Sequence, residues 1–138
     1  MRNHVLVLAL ITAFGAGLSS VATAGEMVDV YKNPNCDCCG KWIDHLKDAG
    51  FEVRAHNVMD VPATRKRLGM PDRLGSCHTA KVAGYVVEGH VPAGEIQRLL
   101  KEKPKALGIA VPSMPPGSPG MESPKPVPYN TLLVQAGG

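Results

Sequence analysis

The sequence predicts a mixed α/β domain with the element order β-α-β-α-β-β-α. Short apolar runs typical of buried strands alternate with amphipathic helical segments, and two strand-like runs meet at a single glycine turn. A helix between the first two strands implies that these strands pair in parallel, whereas a tight turn implies an antiparallel hairpin. We therefore expect a mixed sheet with an antiparallel edge and helices on its faces.

The first strand and helix carry clear local signals. Residues 27–31 form a short apolar run, which the turn-forming residues 33–35 end. The helix that follows has apolar residues at helical spacing and stops at Gly50. These apolar residues are Trp42, Ile43, Leu46 and Ala49. We expect this face, including Trp42, to pack into the core.

The second strand and second helix follow directly. Apolar and polar residues alternate over 51–56, which predicts a half-buried strand. Asp60 is a typical helix cap, Pro62 fits the first turn, and Gly69 closes the helix.

The last elements are a hairpin and a third helix. Residues 79–83 and 85–87 read as two strands around a turn at Gly84. Pro92 opens the third helix, and Pro104 follows its end.

The composition changes from Pro104 onward, where eight of the twelve prolines lie, Pro104 included. We expect little regular structure there, apart from a short final strand within 129–134. A disordered tail is the alternative, but four apolar anchors favour a segment that wraps the domain: Ile109, Val111, Met114 and Met121. The predicted division is a signal peptide (1–24), a domain (25–104) and a Pro/Gly-rich extension packed on it (105–138).

The N-terminus is predicted to be a secretory signal peptide. Arg2 precedes an apolar run over residues 5–18, and the small residues 22–24 form an A-x-A cleavage pattern. An uncleaved anchor is the alternative, but the apolar run is shorter than the roughly 20 residues that a spanning helix needs. We expect cleavage after Ala24 and a periplasmic location.

The predicted leader holds one basic residue, Arg2, and no acidic residue, so the mature chain has 114 residues with 14 Lys and Arg against 12 Asp and Glu. This length suits one small domain. The small and evenly spread charge argues against nucleic acid or an anionic membrane as partner. A monomer is expected, because no long apolar surface element is evident.

Three of the four cysteines, Cys36, Cys38 and Cys39, lie at the predicted start of the first helix. The partial positive charge at a helix N-terminus favours thiolates, which are both nucleophiles and metal ligands. Neighbouring thiolates repel each other unless a disulfide replaces them or a soft metal ion neutralises their charge. Cys36 and Cys39 have the C-x-x-C spacing of a reversible redox disulfide, and are the candidate redox residues.

The position of this motif, between the first strand and the first helix, is that of a thioredoxin-like or glutaredoxin-like domain. In that layout the loop before the third strand packs against the motif. We therefore expect Cys77 and His78 to approach the three clustered cysteines. Thioredoxins have a cis-proline in this loop; its replacement here by cysteine and histidine argues against a general disulfide exchanger.

A third thiol, Cys38, is unnecessary for dithiol exchange but useful around a soft metal. Thiolate and thioether ligands select Cu(I), with zinc as the main competitor. The candidate ligands are Cys36, Cys38, Cys39, Cys77, His78, Met114 and Met121. His90 is more ambiguous, because a capping or surface position explains it equally well.

Four segments resemble the CopG-type family of exported bacterial copper-resistance proteins, a metal-binding domain long described as of unknown function. They are residues 31–42, 76–80, 84–92 and 111–121. The resemblance implies a thioredoxin-like fold, an envelope location, a copper site built on the C-x-C-C run and a role in copper resistance. It carries over the cysteines at positions 36, 38, 39 and 77.

The function predicted from these observations is that of a periplasmic copper-binding protein of copper resistance. Cu(I) would bind to the cysteines, with a small multinuclear cluster as one arrangement, and dithiol oxidation could interconvert Cu(I) and Cu(II). A thiol-disulfide oxidoreductase using Cys36 and Cys39 is one alternative, and a passive copper carrier or store is another. The expected partners are copper ions and other copper-handling or redox proteins of the envelope. Whether the protein is an enzyme stays open.

Overall fold

A computed structural model of the chain describes residues 25–137, so the predicted signal peptide lies outside the described residues. Within that range no helix is both long and apolar enough to cross a membrane. The strands are β1 (Met27–Lys32), β2 (Glu52–Asn57), β3 (His78–Val82), β4 (Tyr85–Gly89), β5 (Gly108–Val111) and β6 (Leu132–Val134). The helices are α1 (Asp37–Asp48), α2 (Val61–Arg67) and α3 (Ala93–Glu102), with a short 3₁₀ turn at Asp72–Leu74.

The six strands form one mixed sheet in the order β2-β1-β3-β4-β5-β6. β1 pairs with β2 in parallel, and β3 and β4 form the antiparallel hairpin. The mixed α/β class is therefore confirmed. The expectation that the hairpin lies at the edge is wrong, because β5 pairs with β4 in parallel and β6 pairs with β5.

β5 is the element that sequence reasoning missed. Its four residues are all buried, so they show no polar alternation, and they lie in a proline-rich segment. The expectation of little regular structure beyond Pro104 is wrong here, because α3 serves as a second crossover helix and returns the chain to the sheet beside β4. β6 falls within the predicted range 129–134.

The main core lies between one face of the sheet and helices α1 and α3. Trp42 of α1 is fully buried there, as predicted, and its indole N–H donates to the carbonyl of Val91 at 2.8 Å. The Nε2 of His45 accepts the N–H of Ala93, which joins α1 to the first residue of α3. A smaller cluster occupies the opposite face and contains Met70, Val86, Ala110 and Val134.

The site-bearing segments meet at one edge of the sheet. The end of β1 leads into α1, and the register that pairs Lys32 with His78 places the start of β3 beside it. β4 is antiparallel to β3 and therefore ends at the same edge, as does β5. Residues 112–131, all within the described part of the chain, contain no helix or strand and run between β5 and β6.

Candidate metal centre

The C-x-C-C run folds as the predicted helix start. Cys36 is the N-cap residue of α1, and its N–H donates to the carbonyl of Asn33 at 3.1 Å in the preceding turn. Cys38 and Cys39 lie in the first turn of the helix. Since this short range contains its own turn and helix signals, the local geometry follows from the local sequence.

The fold brings all four cysteines together. Their sulfurs lie within 4.8 Å of one another. Cys38 is the central one, because its Sγ lies 3.4 Å from the Sγ of Cys36 and 3.6 Å from that of Cys77. A single soft ion or a small cluster could therefore contact sulfurs from both segments.

Cys36 and Cys39 are joined by a disulfide, whereas Cys38 and Cys77 are free thiols. The structure thus shows the C-x-x-C pair in its oxidised form. In this form two of the four sulfurs are unavailable as thiolates. Reduction, which takes two electrons and two protons, would free them.

Cys77 contacts two histidines as well as Cys38. Its Sγ lies 2.9 Å from the Nε2 of His90 and 3.4 Å from the Nδ1 of His78. Burial, reinforced by the neighbouring Cys38, raises the pKa of the Cys77 thiol to about 12. In the metal-free oxidised protein this thiol is therefore protonated at neutral pH, and a bound metal would have to displace its proton.

The two histidines are oriented by backbone carbonyls. The Nε2–H of His78 donates to the Gly89 carbonyl at 2.9 Å, and the Nδ1–H of His90 donates to the Pro119 carbonyl at 2.7 Å. In each ring the other nitrogen then carries its lone pair toward Cys77. This pattern is typical of histidines that bind metals, because the second hydrogen bond determines the tautomer and the ring orientation.

Both histidines are neutral in the folded protein. Burial, with a smaller contribution from nearby His90, lowers the pKa of His78 to about 3. Burial also lowers the pKa of His90. The ring of His78 packs 4.3 Å from that of Trp42 and 4.9 Å from that of His90, measured between centroids. The lone pairs are therefore available for a metal at neutral pH.

His90 is the site residue to which sequence reasoning gave too little weight. A capping or surface position was an equal alternative, but the residue is fully buried and contacts Cys77. The available signal was its place directly after β4, at the sheet edge that also carries Cys77.

The segment after β5, residues 112–131, covers the site and is called the covering segment below. Gly120, which has a φ of +84°, lies so close that a Cβ there would be 2.7 Å from the carbonyl oxygen of Cys38 and 3.2 Å from the Nδ1 of His90. Met121 is next to it and partly buried, while Met114 is 44% exposed. Both predicted methionine ligands thus lie on the covering segment, and their role as ligands stays a prediction.

Comparisons with known proteins identify the family of this chain. Residues 74–121 match a family model described as a protein of unknown function, DUF411. Among solved structures, "Copper resistance protein copG- Form 2" is 43% identical, with a TM-score of 0.79, over 83% of this chain and 92% of that one. "Copper resistance protein copG- Form 1" is 44% identical, with a TM-score of 0.76, over 81% of this chain and 90% of that one. The chain belongs to the CopG family. No curated protein matches it.

The donor set of this CopG-family chain suits a soft metal. The two overlapping ligand groups at the site contain sulfur and imidazole nitrogen and no carboxylate. Such donors favour copper, zinc or iron–sulfur chemistry over magnesium or calcium. Together with the family, the cysteine cluster supports a copper-related function.

Proposed function

We propose that this protein is a periplasmic copper-handling protein that binds Cu(I) through its four cysteines when the Cys36–Cys39 disulfide is reduced. The observation that carries the proposal is the convergence of the four sulfurs within 4.8 Å, in a member of a copper-resistance family. Thiolates favour Cu(I), and four of them around a small volume can bridge more than one ion. His78, His90 and a methionine of the covering segment would complete the coordination.

The proposal places this site on a thioredoxin-like fold in the cell envelope. The strand order β2-β1-β3-β4 and the cysteine motif at the start of α1 support that fold. The basic residue, apolar run and A-x-A pattern of the first 24 residues support export.

A redox step follows from the C-x-x-C pair. Two Cu(II) ions each accept one electron from the thiols of Cys36 and Cys39, the S–S bond forms, and two protons leave. The products are two Cu(I) ions and the disulfide. In the reverse direction, two Cu(I) ions each give one electron to the disulfide, the S–S bond breaks, two protons are taken up, and both ions become Cu(II). The protein would thereby interconvert the two copper oxidation states. The direction depends on whether the copper couple or the disulfide couple has the higher reduction potential, since that couple is the one reduced.

The closed disulfide also supports a second candidate, a thiol-disulfide oxidoreductase that acts on other proteins. In that case copper is incidental. Cys38, whose sulfur is 3.4 Å from that of Cys36, is then not required for activity.

One experiment separates these functions. The reduced protein is mixed with Cu(I) and a competing chelator, and the bound copper is counted by native mass spectrometry. Wild type should retain copper and Cys38→Ser should lose it. Met59→Leu is the control, since this methionine is 81% exposed and lies outside the site. If wild type retains no copper and Cys38→Ser has disulfide reductase activity, the result favours the oxidoreductase.

A further inference from the structure

A buried ion pair lies directly behind the loop that carries Cys77. The Nε of Arg65, in α2, donates to the Oε1 of Glu88, in β4, at 2.7 Å. Arg65 is 5% exposed and Glu88 is fully buried. In every other ion pair among residues 25–137, at least one side chain is more than one third exposed.

This pair holds the residue before Cys77 by its backbone. The N–H of Ser76 donates to the same Oε1 of Glu88 at 2.8 Å, and the carbonyl of Ser76 accepts from the Nη2 of Arg65 at 2.6 Å. Both backbone polar groups of Ser76 are therefore bound by side chains of other elements. Gly75 permits this approach, since a Cβ there would lie 2.8 Å from the Nη1 of Arg65.

The loop is also joined to the covering segment. The Ser76 hydroxyl donates to the carbonyl of Ser113, and the N–H of Ser113 donates to the carbonyl of Gly75 at 3.1 Å. The position of Ser76 is thus determined from three directions. Cys77 follows one peptide bond later, so its Sγ is held 3.6 Å from that of Cys38.

Stability alone explains the ion pair poorly. Removing two charges from water costs free energy that their attraction often fails to recover, and apolar residues of similar volume are frequently as stable. The Oε2 of Glu88 also lacks a hydrogen-bond partner among the described residues, which adds to the cost of its burial. The distinctive property of the pair is geometric, because an Arg fork and a carboxylate can bind one backbone unit from both sides.

We infer that Arg65 and Glu88 are positioning residues that hold Cys77 in place to complete the copper site. The inference rests on the proposed function. Neither residue belongs to the candidate ligand groups; each acts through the backbone of Ser76. The pair therefore affects properties that depend on Cys77 and leaves those of the Cys36–Cys39 disulfide unchanged.

The test replaces the pair by apolar residues in the double variant Arg65→Met/Glu88→Leu. We expect Cu(I) affinity, measured by chelator competition on the reduced protein, to fall about 10- to 100-fold, as for other residues that orient metal ligands. The reduction potential of the Cys36–Cys39 disulfide should not change. The control is Arg98→Met/Glu95→Leu, which removes a more exposed ion pair of 3.1 Å and should alter neither quantity.

A second variant, Arg65→Lys, guards against a folding defect. Lysine keeps the positive charge but cannot reach Glu88 and the Ser76 carbonyl with one planar fork. Its Cu(I) affinity should also fall, by about tenfold. Wild-type affinity in both variants would overturn the inference.

A metal-free measurement separates this inference from the proposed function. In oxidised Cys38→Ser protein, Cys77 is the only free thiol, and its rate of alkylation by iodoacetamide reports how firmly its loop is held. Adding Arg65→Lys should accelerate alkylation by about threefold or more, because the loop opens more often. If wild type binds no copper but alkylation accelerates, the proposed function fails and the positioning role stands. An unchanged alkylation rate contradicts the positioning role.

Discussion

The two sides of the candidate metal centre differ in whether redox conditions can change their covalent bonds. The motif side, residues 36–39, lies at a helix N-terminus and contains the disulfide, so its covalent state changes with redox conditions. The strand side, formed by Cys77, His78 and His90, lies at the ends of β3 and β4. Its histidines are buried, and each ring donates to a backbone carbonyl.

This difference suggests a division of roles. Under the proposed function, electrons would enter or leave through the motif side, and the strand side would hold the metal in both redox states. A site that exchanges electrons with copper needs both properties, since a metal held only by the cysteines that oxidise would be released at every cycle.

The largest expected effect concerns the redox state. Oxidised protein should bind Cu(I) about 100-fold more weakly than reduced protein, a difference of about 2.7 kcal/mol, because two thiolates are lost. Chelator competition on both forms measures the ratio. The double variant Cys36→Ser/Cys39→Ser should show the weak affinity whether or not oxidant is present. Equal Cu(I) affinities of oxidised and reduced wild type would mean that neither Cys36 nor Cys39 is a copper ligand.

The strand side should make the metal-free protein sensitive to acid. His78 has a folded-state pKa of about 3 against an ordinary value of 6.5. Between these two pH values its imidazole is protonated in the unfolded chain and neutral in the folded protein. Its contribution to stability is complete above pH 6.5 and declines as the pH falls toward 3, by about 1.4 kcal/mol per pH unit. At pH 4.5, two pH units below the ordinary value, the loss is about 3 kcal/mol.

Urea unfolding of oxidised, metal-free protein at pH 7 and pH 4.5 measures this effect. His78→Phe removes the titrating group, so its loss of stability between the two pH values should be about 3 kcal/mol smaller than that of wild type. Identical losses in the two proteins would show that the burial of His78 does not control the acid response.

The next effect tests the support of the strand side by α1. Trp42→Phe removes the hydrogen bond to the buried Val91 carbonyl and part of a fully buried ring system, and should lower the free energy of unfolding by about 2–4 kcal/mol. Tyr85→Phe is the comparison variant, because it removes a hydrogen bond of equal length, 2.8 Å, to the Pro104 carbonyl at a half-buried position and leaves the ring in place. Its loss should be smaller, since water can reach that site. Equal losses in urea unfolding would contradict the special role of the Trp42 contact.

The smallest expected effect concerns the covering segment. Met121→Leu and Met114→Leu keep an apolar side chain of similar volume but remove the thioether. We expect each to reduce Cu(I) affinity by about tenfold or less, since a single soft ligand of several is lost. Chelator competition measures the change, with Met59→Leu as the unaffected reference. Unchanged affinity in both would remove the methionines from the ligand set.

Much of the fold could be predicted because its signals are local. Asp60 caps α2 as expected, with its carboxylate accepting the N–H of Ala63 at 2.8 Å. The hairpin of β3 and β4 was evident from Gly84. β5 could not be found in this way, because a fully buried run of four residues has no periodicity, and its strand conformation depends on pairing with β4.

The candidate site likewise contains a part that local signals predict and a part that depends on long-range contacts. Local signals suffice to predict the cluster at positions 36, 38 and 39, because a turn and a helix start place neighbouring side chains together without help from the rest of the chain. The approach of Cys77 was expected only through the layout of a fold class.

The burial of His90 beside Cys77, the orientation of both imidazoles and the burial of Arg65 against Glu88 are evident only from the tertiary structure. Ring orientation depends on carbonyls that distant residues supply, Gly89 for His78 and Pro119 for His90. The ion pair joins α2 to β4 across 23 positions of the chain. Such contacts depend on how helices and strands pack, and no periodicity or spacing in a single segment records them.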